Sequence, residues 1–417
     1  MQLRPGHGVI LAVLALLLVG VVMVNSVWLA RSAGDSAAAL AGEPAADPIT
    51  AASLLWGRPT LYAIFAMAAL ALGALVPMRL LEDQDGRPNA WPIMAAGAIT
   101  AILLAAVYVP GLGREVNGAH RWIEIGSLTL QPSELAKWAM PLFLAWWCVR
   151  PGTDLSTLRR GFLPAIAVVF AVGAIVGVED LGTAVLIVGV SGLVLLAAGV
   201  RWRHVLLLVP VAAAAVVGAI VQSPYRVKRL LAWQDPFADP QGIGYHVIQS
   251  LTAISGGGLA GRGLGQGVQK FGYLPEGTTD FIFAIICEEL GLAGAAVVVG
   301  LIVGLLWCGI SIIAPRGEGA ATPTRFQRLL GLAILLTIGL QALINVTVVT
   351  GLAPTKGIAL PFVSSGGTGW VLTAFSVGLL LAIERDARRR AEEQAIGDPA
   401  RHDDSCLPHG AVASVPA

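Results

Sequence analysis

The chain has 417 residues, of which 56% are hydrophobic and 13% are charged. Soluble globular proteins carry about 25% charged residues, so this composition excludes an ordinary soluble domain. The formal net charge of +1 points to no nucleic-acid partner. Apolar runs of roughly 17–25 residues, long enough to cross a bilayer, recur along the chain. We therefore predict an all-α polytopic membrane protein, because lipid offers no hydrogen-bond partners to open backbone groups.

Ten apolar segments are predicted to cross the membrane. They cover Val9–Trp28, Pro59–Pro77, Trp91–Val109, Ser133–Val149, Phe162–Val178, Thr183–Val200, Val205–Val221, Phe281–Ile313, Leu329–Thr350 and Thr368–Ile383. The predicted transmembrane domain spans residues 1–384, with a large extracytoplasmic loop (residues 222–279) between spans seven and eight. Residues 385–417 are predicted to form a disordered cytoplasmic tail, because the sequence beyond Arg390 lacks periodicity.

Basic residues are distributed unequally between the two sets of short connections. One set holds Arg79, Arg87, Arg150, Arg159, Arg160, Arg201, Arg203, Arg316, Arg325 and Arg328. Cytoplasmic connections are enriched in Lys and Arg, so this set and both termini are predicted to be cytoplasmic. Three loops, Gly111–Pro132, Gln222–Thr279 and Gly351–Gly367, are then predicted to face outward. They are rich in Gly, Pro, Trp and Tyr, which indicates that they form a defined surface and do not merely connect the helices.

The outer loop before span four reads NGAHRWIEIGSLTLQPSELAKW. Arg121 and Trp122 fit either an interfacial anchor or a substrate-binding surface, because Trp is typical of head-group depth. Lys137 lies one turn inside the span, where an ammonium is costly unless it is paired or hydrated. Glu134 is three residues away on the same helix face and is predicted to pair with it.

The loop before span ten reads GLAPTKGIALPFVSSGGTGW. Its Ser364-Ser365-Gly366-Gly367 stretch opens a helix, and free backbone N–H groups at a helix start suit a phosphate. Lys356 adds a cation to the same predicted outer face. The alternative is a capped re-entrant loop with no ligand.

The segment LPEGTTDFIFAIICEELG places Asp280 at the mouth of an apolar helix. Asp280 fits a helix N-cap, but it also fits a general base, because partial desolvation raises the pKa of a carboxyl group. Glu288 and Glu289 lie further in and are predicted to face protein or water. In the long loop, YRVKRLLAW and IGYHVIQSLTAIS are predicted to form two helices, and Asp180 is predicted to cap span six.

These loops together resemble one known family. NGAHRWIEIGSLTLQPSELAKW, GLGQGVQKFGYLPEGTTDFIFAIICEELG and APTKGIALPFVSSGGTGW are similar, in this order, to motifs of the SEDS family of FtsW, RodA and SpoVE proteins. The resemblance covers roughly residues 9–383. It implies a peptidoglycan glycosyltransferase that polymerises lipid II outside the bacterial cytoplasmic membrane, with a class B penicillin-binding transpeptidase and other division or elongation proteins as partners.

Within that family, GLGQGVQKFGYLPE is more similar to the FtsW branch than to the RodA branch, which favours a septal role. Two departures from the family pattern stand out. Thr278 occupies a position where the family usually has His, and Ser365 one where it usually has Tyr. The departures leave Asp280, Arg121, Trp122 and Lys356 unchanged.

On this resemblance, the hypothesis is that Asp280 deprotonates the 4-hydroxyl of an acceptor lipid II. Arg121, Lys137, Lys356 and the Ser364–Gly367 turn are then candidates to hold the leaving pyrophosphate. No ligand cluster predicts a tightly bound metal, although an assisting divalent cation stays open. Two alternatives are a transporter or flippase for a lipid-linked sugar, which would use Lys137 and Glu288/Glu289 as a path, and a non-catalytic scaffold.

Overall fold

A computed structural model describes residues 4–39, 57–83, 85–116, 119–125, 128–314 and 322–397. These ranges hold twelve α-helices and one three-stranded sheet. The helices are α1 (Pro5–Ala39), α2 (Arg58–Leu75), α3 (Ala90–Ala106), α4 (Pro132–Val149), α5 (Leu163–Glu179), α6 (Leu181–Ala197), α7 (Trp202–Val221), α8 (Pro224–Gln234), α9 (Tyr245–Gly257), α10 (Ile282–Ile313), α11 (Arg325–Val349) and α12 (Thr368–Gly397).

Each of the ten predicted spans coincides with one helix. Seven of the helices in the described ranges are long and apolar enough to cross a membrane. Helices α3 and α6 are apolar but have only 17 residues each, and α4 carries Glu134 in its first turn. The all-α polytopic fold class is therefore confirmed, while the count of ten spans stays a prediction. The two helices predicted in the long loop are also confirmed, as α8 and α9.

A small antiparallel sheet precedes α4, and the sequence reasoning missed it. Strands β1 (Gly113–Val116), β2 (Ala119–Ile125) and β3 (Leu128–Leu130) lie side by side in that order. Arg114 pairs with Trp122, and Ile123 pairs with Leu130. The signal was present, because Asn117-Gly118 is the dipeptide most typical of a tight hairpin turn.

The last helix continues well beyond the predicted end of the transmembrane domain. Ion pairs one helical turn apart join Arg388 to Glu384 (2.7 Å) and Arg390 to Asp386 (2.9 Å). Pairs at this spacing stabilise a helix, and Arg390 also reaches the buried Glu82 (2.6 Å). The prediction of disorder from residue 385 is therefore wrong for residues 385–397. The rest of the predicted tail, 398–417, lies outside the described residues.

The three predicted outer loops meet at one end of the helix bundle, which we call the loop end. Arg121 Nε, on β2, donates to the carbonyl oxygen of Glu179 (2.7 Å) at the end of α5. Trp233 Nε1, on α8, donates to the carbonyl oxygen of Gly351 (2.9 Å). A third bond, from Arg226 Nη2 on α8 to the carbonyl oxygen of Val178 (2.9 Å), links the long loop to the end of α5. The three bonds together connect the sheet, the long loop and the 351–367 loop, so residues far apart in sequence share one surface.

The 351–367 loop is re-entrant, because it packs against the middle of α1. A Cβ atom at Gly20 would lie 2.6 Å from the carbonyl oxygen of Phe362 and 2.9 Å from that of Val363. Only a residue without a side chain permits this approach. Phe362 itself is buried and adopts a positive φ of 63°, a strained backbone conformation for a bulky residue.

Helix α7 stands apart from the rest of the bundle, and none of its residues is buried in the described chain. Its separation from α5 and α6 leaves a cavity of about 2010 Å³ that opens from the loop end along the apolar helix walls. Helices α2 and α12, in contrast, pack backbone to backbone. A Cβ atom at Gly378 would overlap the carbonyl oxygen of Leu70, and one at Gly73 would overlap that of Phe375.

We expect Gly378→Ala to lower the thermal unfolding midpoint of the protein in detergent, because overpacking costs typically about 1–3 kcal/mol. The control is Gly304→Ala, where a Cβ atom would meet no heavy atom within 4 Å. An unchanged midpoint for Gly378→Ala would contradict the close packing of α2 on α12.

Candidate active site

Asp280 lies just before α10 and does not cap it. The helix begins at Ile282 after Phe281, and no side-chain hydrogen bond caps its start. Within the described residues, no hydrogen bond reaches the Asp280 carboxylate. Its main-chain oxygen accepts from Asn345 Nδ2 (2.8 Å), and its carboxylate lies beside Gly357. The N-cap alternative is therefore wrong, and no hydrogen bond among the described residues gives this half-buried carboxylate a structural role.

The surroundings of Asp280 raise its pKa to about 7. Burial is the main cause, since it disfavours the charged form, and repulsion from the Glu276 carboxylate adds to it. Arg229 and Arg121 act in the opposite direction. A carboxyl group with this pKa can accept a proton near neutral pH, which is the property that a general base needs.

The large cavity has a polar end and apolar walls. Asp280 lies at the polar end with Arg121, Trp122, Glu134 and Lys137, all of which were predicted as site residues. Side chains of α5, α6 and α7, among them Phe170, Val188, Leu208 and Val209, line the walls. Such a cavity fits a long apolar chain with a polar head.

The predicted pairing of Glu134 with Lys137 is confirmed. Lys137 is only 2% exposed, and its Nζ donates to both Glu134 carboxylate oxygens (2.8 and 2.7 Å) and to Gln341 Oε1 (2.8 Å). An ammonium has three protons, so these partners use all of its donors. Lys137 therefore lines the cavity as one member of a satisfied cluster and supplies no free donor to a ligand.

Arg121 and Trp122 lie next to each other on β2, at the rim of the cavity. Arg121 is exposed, and only its Nε donates a hydrogen bond, to the Glu179 carbonyl oxygen. Its two terminal nitrogens make no hydrogen bond to any described residue. Trp122 is half-buried and lines the same cavity. Arg121 is therefore anchored at one nitrogen and free at two, an arrangement that suits an anionic ligand.

Lys356 lies in a second, smaller cavity of about 140 Å³ that also contains Asp280. The side chain is half-buried, and within the described ranges it has no hydrogen-bond or ion-pair partner. Burial lowers the pKa of its ammonium group, while the nearby Asp180 raises it. Unlike Lys137, Lys356 is a cation available for a ligand.

The Ser364–Gly367 turn offers fewer free donors than the sequence predicted. Ser364 is fully buried; its Oγ accepts from the backbone N–H of Leu360 (2.6 Å), and its own N–H donates to the Leu360 carbonyl (3.0 Å). The N–H of Ser365 donates to the carbonyl oxygen of Thr278 (2.8 Å). The predicted anion site thus reduces to the N–H groups of Gly366 and Gly367, whereas Ser364 fixes the re-entrant loop.

Three other acidic residues prove to be structural. Asp180 caps α6 as predicted, by accepting from the N–H of Thr183 (3.1 Å). Glu288 accepts from the N–H groups of Val268 (2.9 Å) and Gln269 (3.1 Å). Glu289 is fully buried and pairs with Lys270 (2.7 Å). Glu288 and Glu289 therefore hold the Gly-rich loop against α10, which confirms that they face protein.

Sequence reasoning missed three residues at the polar end: Arg229, His246 and Glu276. All three line both cavities together with Asp280. The signal for Arg229 was its place on the basic face of the predicted helix YRVKRLLAW. His246 stacks on Phe281 (ring centroids 5.9 Å apart). Glu276 has a positive φ of 56°, which no pattern in the sequence indicates.

No group of three or more His, Cys, Asp or Glu side chains that could hold a metal ion occurs among the described residues. Asp280 and Glu276 form only a pair of carboxylates. The prediction of no tightly bound metal stays a prediction, as does an assisting divalent cation.

Comparison with known sequences identifies the family. The profile of the cell cycle protein family of FtsW, RodA and SpoVE matches residues 7–389. The chain is 41% identical over 291 residues to stage V sporulation protein E of Bacillus subtilis, covering 70% of this chain and 78% of that protein. It is 38% identical over 387 residues to the probable peptidoglycan glycosyltransferase FtsW of Alkalilimnicola ehrlichii, covering 92% and 90%. The chain therefore belongs to the FtsW, RodA and SpoVE family.

Solved structures show the same fold. One chain, from a structure on the coordination of polymerization and crosslinking by a peptidoglycan synthase complex, matches with a TM-score of 0.67 at 28% identity. The match covers 91% of this chain and 97% of that chain. The rod shape determining protein RodA of Thermus thermophilus matches with a TM-score of 0.59 at 23% identity, covering 91% and 96%. At that identity the RodA match supports the fold alone.

Replacing Glu276 by Gln should move the titration of Asp280 to lower pH, because it removes a like charge that raises the Asp280 pKa. Infrared titration of carboxyl groups measures this directly. In the wild type, a band that disappears in Asp280→Asn should titrate at about pH 7. Glu393→Gln, on the exposed end of α12, is the control. A band that stays in place in Glu276→Gln would refute the electrostatic coupling.

Proposed function

We propose that this chain is a peptidoglycan glycosyltransferase that polymerises lipid II into glycan strands. One observation carries the proposal: an unpaired carboxylate with a pKa of about 7 lies where the polar end of a lipid-sized cavity meets a smaller polar pocket. Lipid II combines a polyprenyl chain, a pyrophosphate and a disaccharide. The apolar walls suit the chain, and the polar end suits the rest.

The reaction joins an acceptor hydroxyl to the anomeric carbon of a donor sugar. Asp280 accepts the hydroxyl proton, the oxygen forms a bond to the anomeric carbon, and the bond from that carbon to the pyrophosphate oxygen breaks. The leaving pyrophosphate gains negative charge in this step. Arg121, Lys356 and the N–H groups of Gly366 and Gly367 are free to stabilise it, as cations and oriented N–H donors do at developing charge.

Relatives favour the FtsW branch and a role in septal wall synthesis. Several proteins named probable peptidoglycan glycosyltransferase FtsW are 36–40% identical to this chain, including one in Trichlorobacter lovleyi at 40% over 321 residues. The stretch GLGQGVQKFGYLPE points the same way. A RodA-like role in elongation is the alternative within the family.

The proposed enzyme works at the outer face of the bacterial cytoplasmic membrane. The loop end carries the candidate site, and the distribution of basic residues supports an outer position for that end and a cytoplasmic position for both termini. A chain of similar fold occurs in a complex that couples polymerization to crosslinking. We accordingly propose a class B penicillin-binding transpeptidase as the partner, together with other proteins of the division machinery.

A transporter or flippase for lipid-linked sugars is less well supported. A transport function would require Lys137, Glu288 and Glu289 to line a translocation path for the substrate. In the structure each is buried and bonded to fixed protein partners. A lipid-movement assay in vesicles separates the two functions, because transport predicts movement of lipid II without polymer.

We expect Asp280→Asn to reduce polymerisation of lipid II by roughly 10²-fold or more, the usual scale for loss of a general base. Asn has the same shape but cannot accept the proton. The measurement is polymer formation per folded molecule in detergent, with and without a cognate transpeptidase. Asp85→Asn, which is exposed in the Glu82–Pro88 segment, should retain full activity. Polymer yield near the wild-type level in Asp280→Asn would eliminate Asp280 as the base.

A further inference from the structure

The two cavities meet at Asp280. The residues that line both of them are Tyr225, Arg229, His246, Glu276, Asp280 and Gly357. Asp280 and Arg229 are the carboxylate and the cation at this junction, and Arg229 lies close enough to lower the pKa of Asp280. A group that reacts next to Asp280 therefore lies in a cavity that Arg229 also lines.

Arg229 is held loosely, in contrast to its neighbour on the same helix. The guanidinium of Arg226 donates to the carbonyl oxygens of Ala219 (3.1 Å), Gly177 (3.2 Å) and Val178 (2.9 Å), which ties α8 to the ends of α5 and α7. Arg229 makes one long hydrogen bond, from Nη1 to the carbonyl oxygen of Thr355 (3.5 Å). Its guanidinium carbon lies 4.5 Å from the ring centroid of Tyr225.

Arg226 therefore has a structural role, whereas Arg229 is available to bind a ligand. Arg226 makes three hydrogen bonds to carbonyl oxygens, while most donors of Arg229 have no partner within the described residues. A half-buried guanidinium with free donors is suited to a ligand with two or more anionic oxygens, because its planar fork binds such groups in a bidentate manner. The Tyr225 ring holds the guanidinium by its face and leaves its edge free.

We propose that Arg229 binds the diphosphate of the lipid-linked donor at the junction of the two cavities, next to Asp280. This inference rests on the proposed function. Lys356, in the smaller cavity, is the second cation of the subsite. Lys137, which the sequence suggested for this role, has no donor left, so Arg229 replaces it. The apolar walls of the large cavity then accommodate the polyprenyl chain.

The charge balance of the reaction explains why a cation belongs at this point. Before the reaction, the negative charge is on the Asp280 carboxylate. As the hydroxyl proton moves to Asp280, the new carbon–oxygen bond forms and the bond to the diphosphate breaks. The negative charge thus passes from Asp280 to the diphosphate. The charge of Arg229 acts on the Asp280 carboxylate before the reaction, since it lowers the pKa of that group, and its free donors can then bind the leaving group.

The other carboxylate at the junction does not compete strongly for Arg229. Glu276 is exposed, forms no ion pair with Arg229 among the described residues, and accepts a hydrogen bond from Thr279 Oγ1 (2.8 Å). His246 is the remaining titratable group of the junction. Burial and the charge of Arg229 lower its pKa, so it is neutral at physiological pH.

Binding of a diphosphate lipid, measured without turnover, tests the proposal. The full chain carrying Asp280→Asn is purified in detergent and titrated with undecaprenyl diphosphate and, separately, with undecaprenol. We expect an added Arg229→Gln to weaken diphosphate binding roughly 10- to 100-fold, the scale of hydrogen bonds to a charged group. Binding of undecaprenol should not change. Arg229→Lys should lose part of the affinity, since it keeps the charge but not the fork.

The matched control is Lys228→Gln, which removes an exposed cation from the same helix and should leave both affinities unchanged. Thermal unfolding of each variant verifies folding; if Arg229→Gln does not fold, Arg229→Lys is compared with Lys228→Gln instead. The proposal is wrong if the Arg229 variants keep the diphosphate affinity, or if they lose diphosphate and undecaprenol binding equally.

Polymerisation by the wild-type chain, measured in parallel, separates this inference from the proposed function. If Arg229 carries diphosphate binding but the wild type forms no glycan from lipid II, the proposed function is wrong and the subsite stands. If the wild type polymerises lipid II while Arg229→Gln retains full diphosphate affinity, the enzyme assignment stands and the subsite is wrong.

Discussion

The need to pair every charge in a water-poor interior governs this structure. An unpaired ion is expensive away from water, so a buried charge must find a partner or shift its pKa. Lys137, Glu289 and Glu82 follow the rule, each through an ion pair or hydrogen bonds to fixed protein groups. Asp280 and Lys356 have no such partner among the described residues, and burial shifts the pKa of each instead. The groups left without partners are therefore the ones that a substrate can satisfy, and they cluster at the junction of the two cavities.

The re-entrant loop makes that junction possible. Asn345 Nδ2 donates both to the Asp280 carbonyl (2.8 Å) and to the Ile358 carbonyl (2.7 Å), so one buried amide ties the segment before α10 to the loop. The loop reaches this depth because Gly20 gives its backbone room on α1. Phe362 adopts its positive φ within the same segment. Backbone strain of this kind persists only where the surroundings over-determine it, and it is concentrated near functional sites.

Composition and hydrophobic run length were sufficient to predict the helices, because a membrane imposes both. The pair Glu134–Lys137 was also predictable, since helical spacing fixes a contact between residues three apart. Arg229 and His246 were not, because their proximity to Asp280 arises only when α8 and α9 fold over the loop end. Glu276 is only four residues from Asp280, but its positive φ of 56° was not predictable. The opposite error occurred at Ser364. From the sequence, its hydroxyl and N–H were expected to be free to bind a ligand, but in the re-entrant loop both form hydrogen bonds with Leu360. Local sequence patterns predict which polar groups a segment contains, whereas tertiary contacts decide which of these groups remain free to bind a ligand.

The two departures from the family pattern meet in three dimensions. Ser365, where the family usually has Tyr, donates its N–H to the carbonyl of Thr278, where the family usually has His. Ser365 lines the large cavity, so a smaller side chain there leaves more room in that cavity. Thr278 is buried beneath it. Because the contact between the two segments runs through main-chain atoms, both side chains can shrink without releasing Asp280 from its place. The departures therefore alter the shape of the cavity and leave Asp280 in its place.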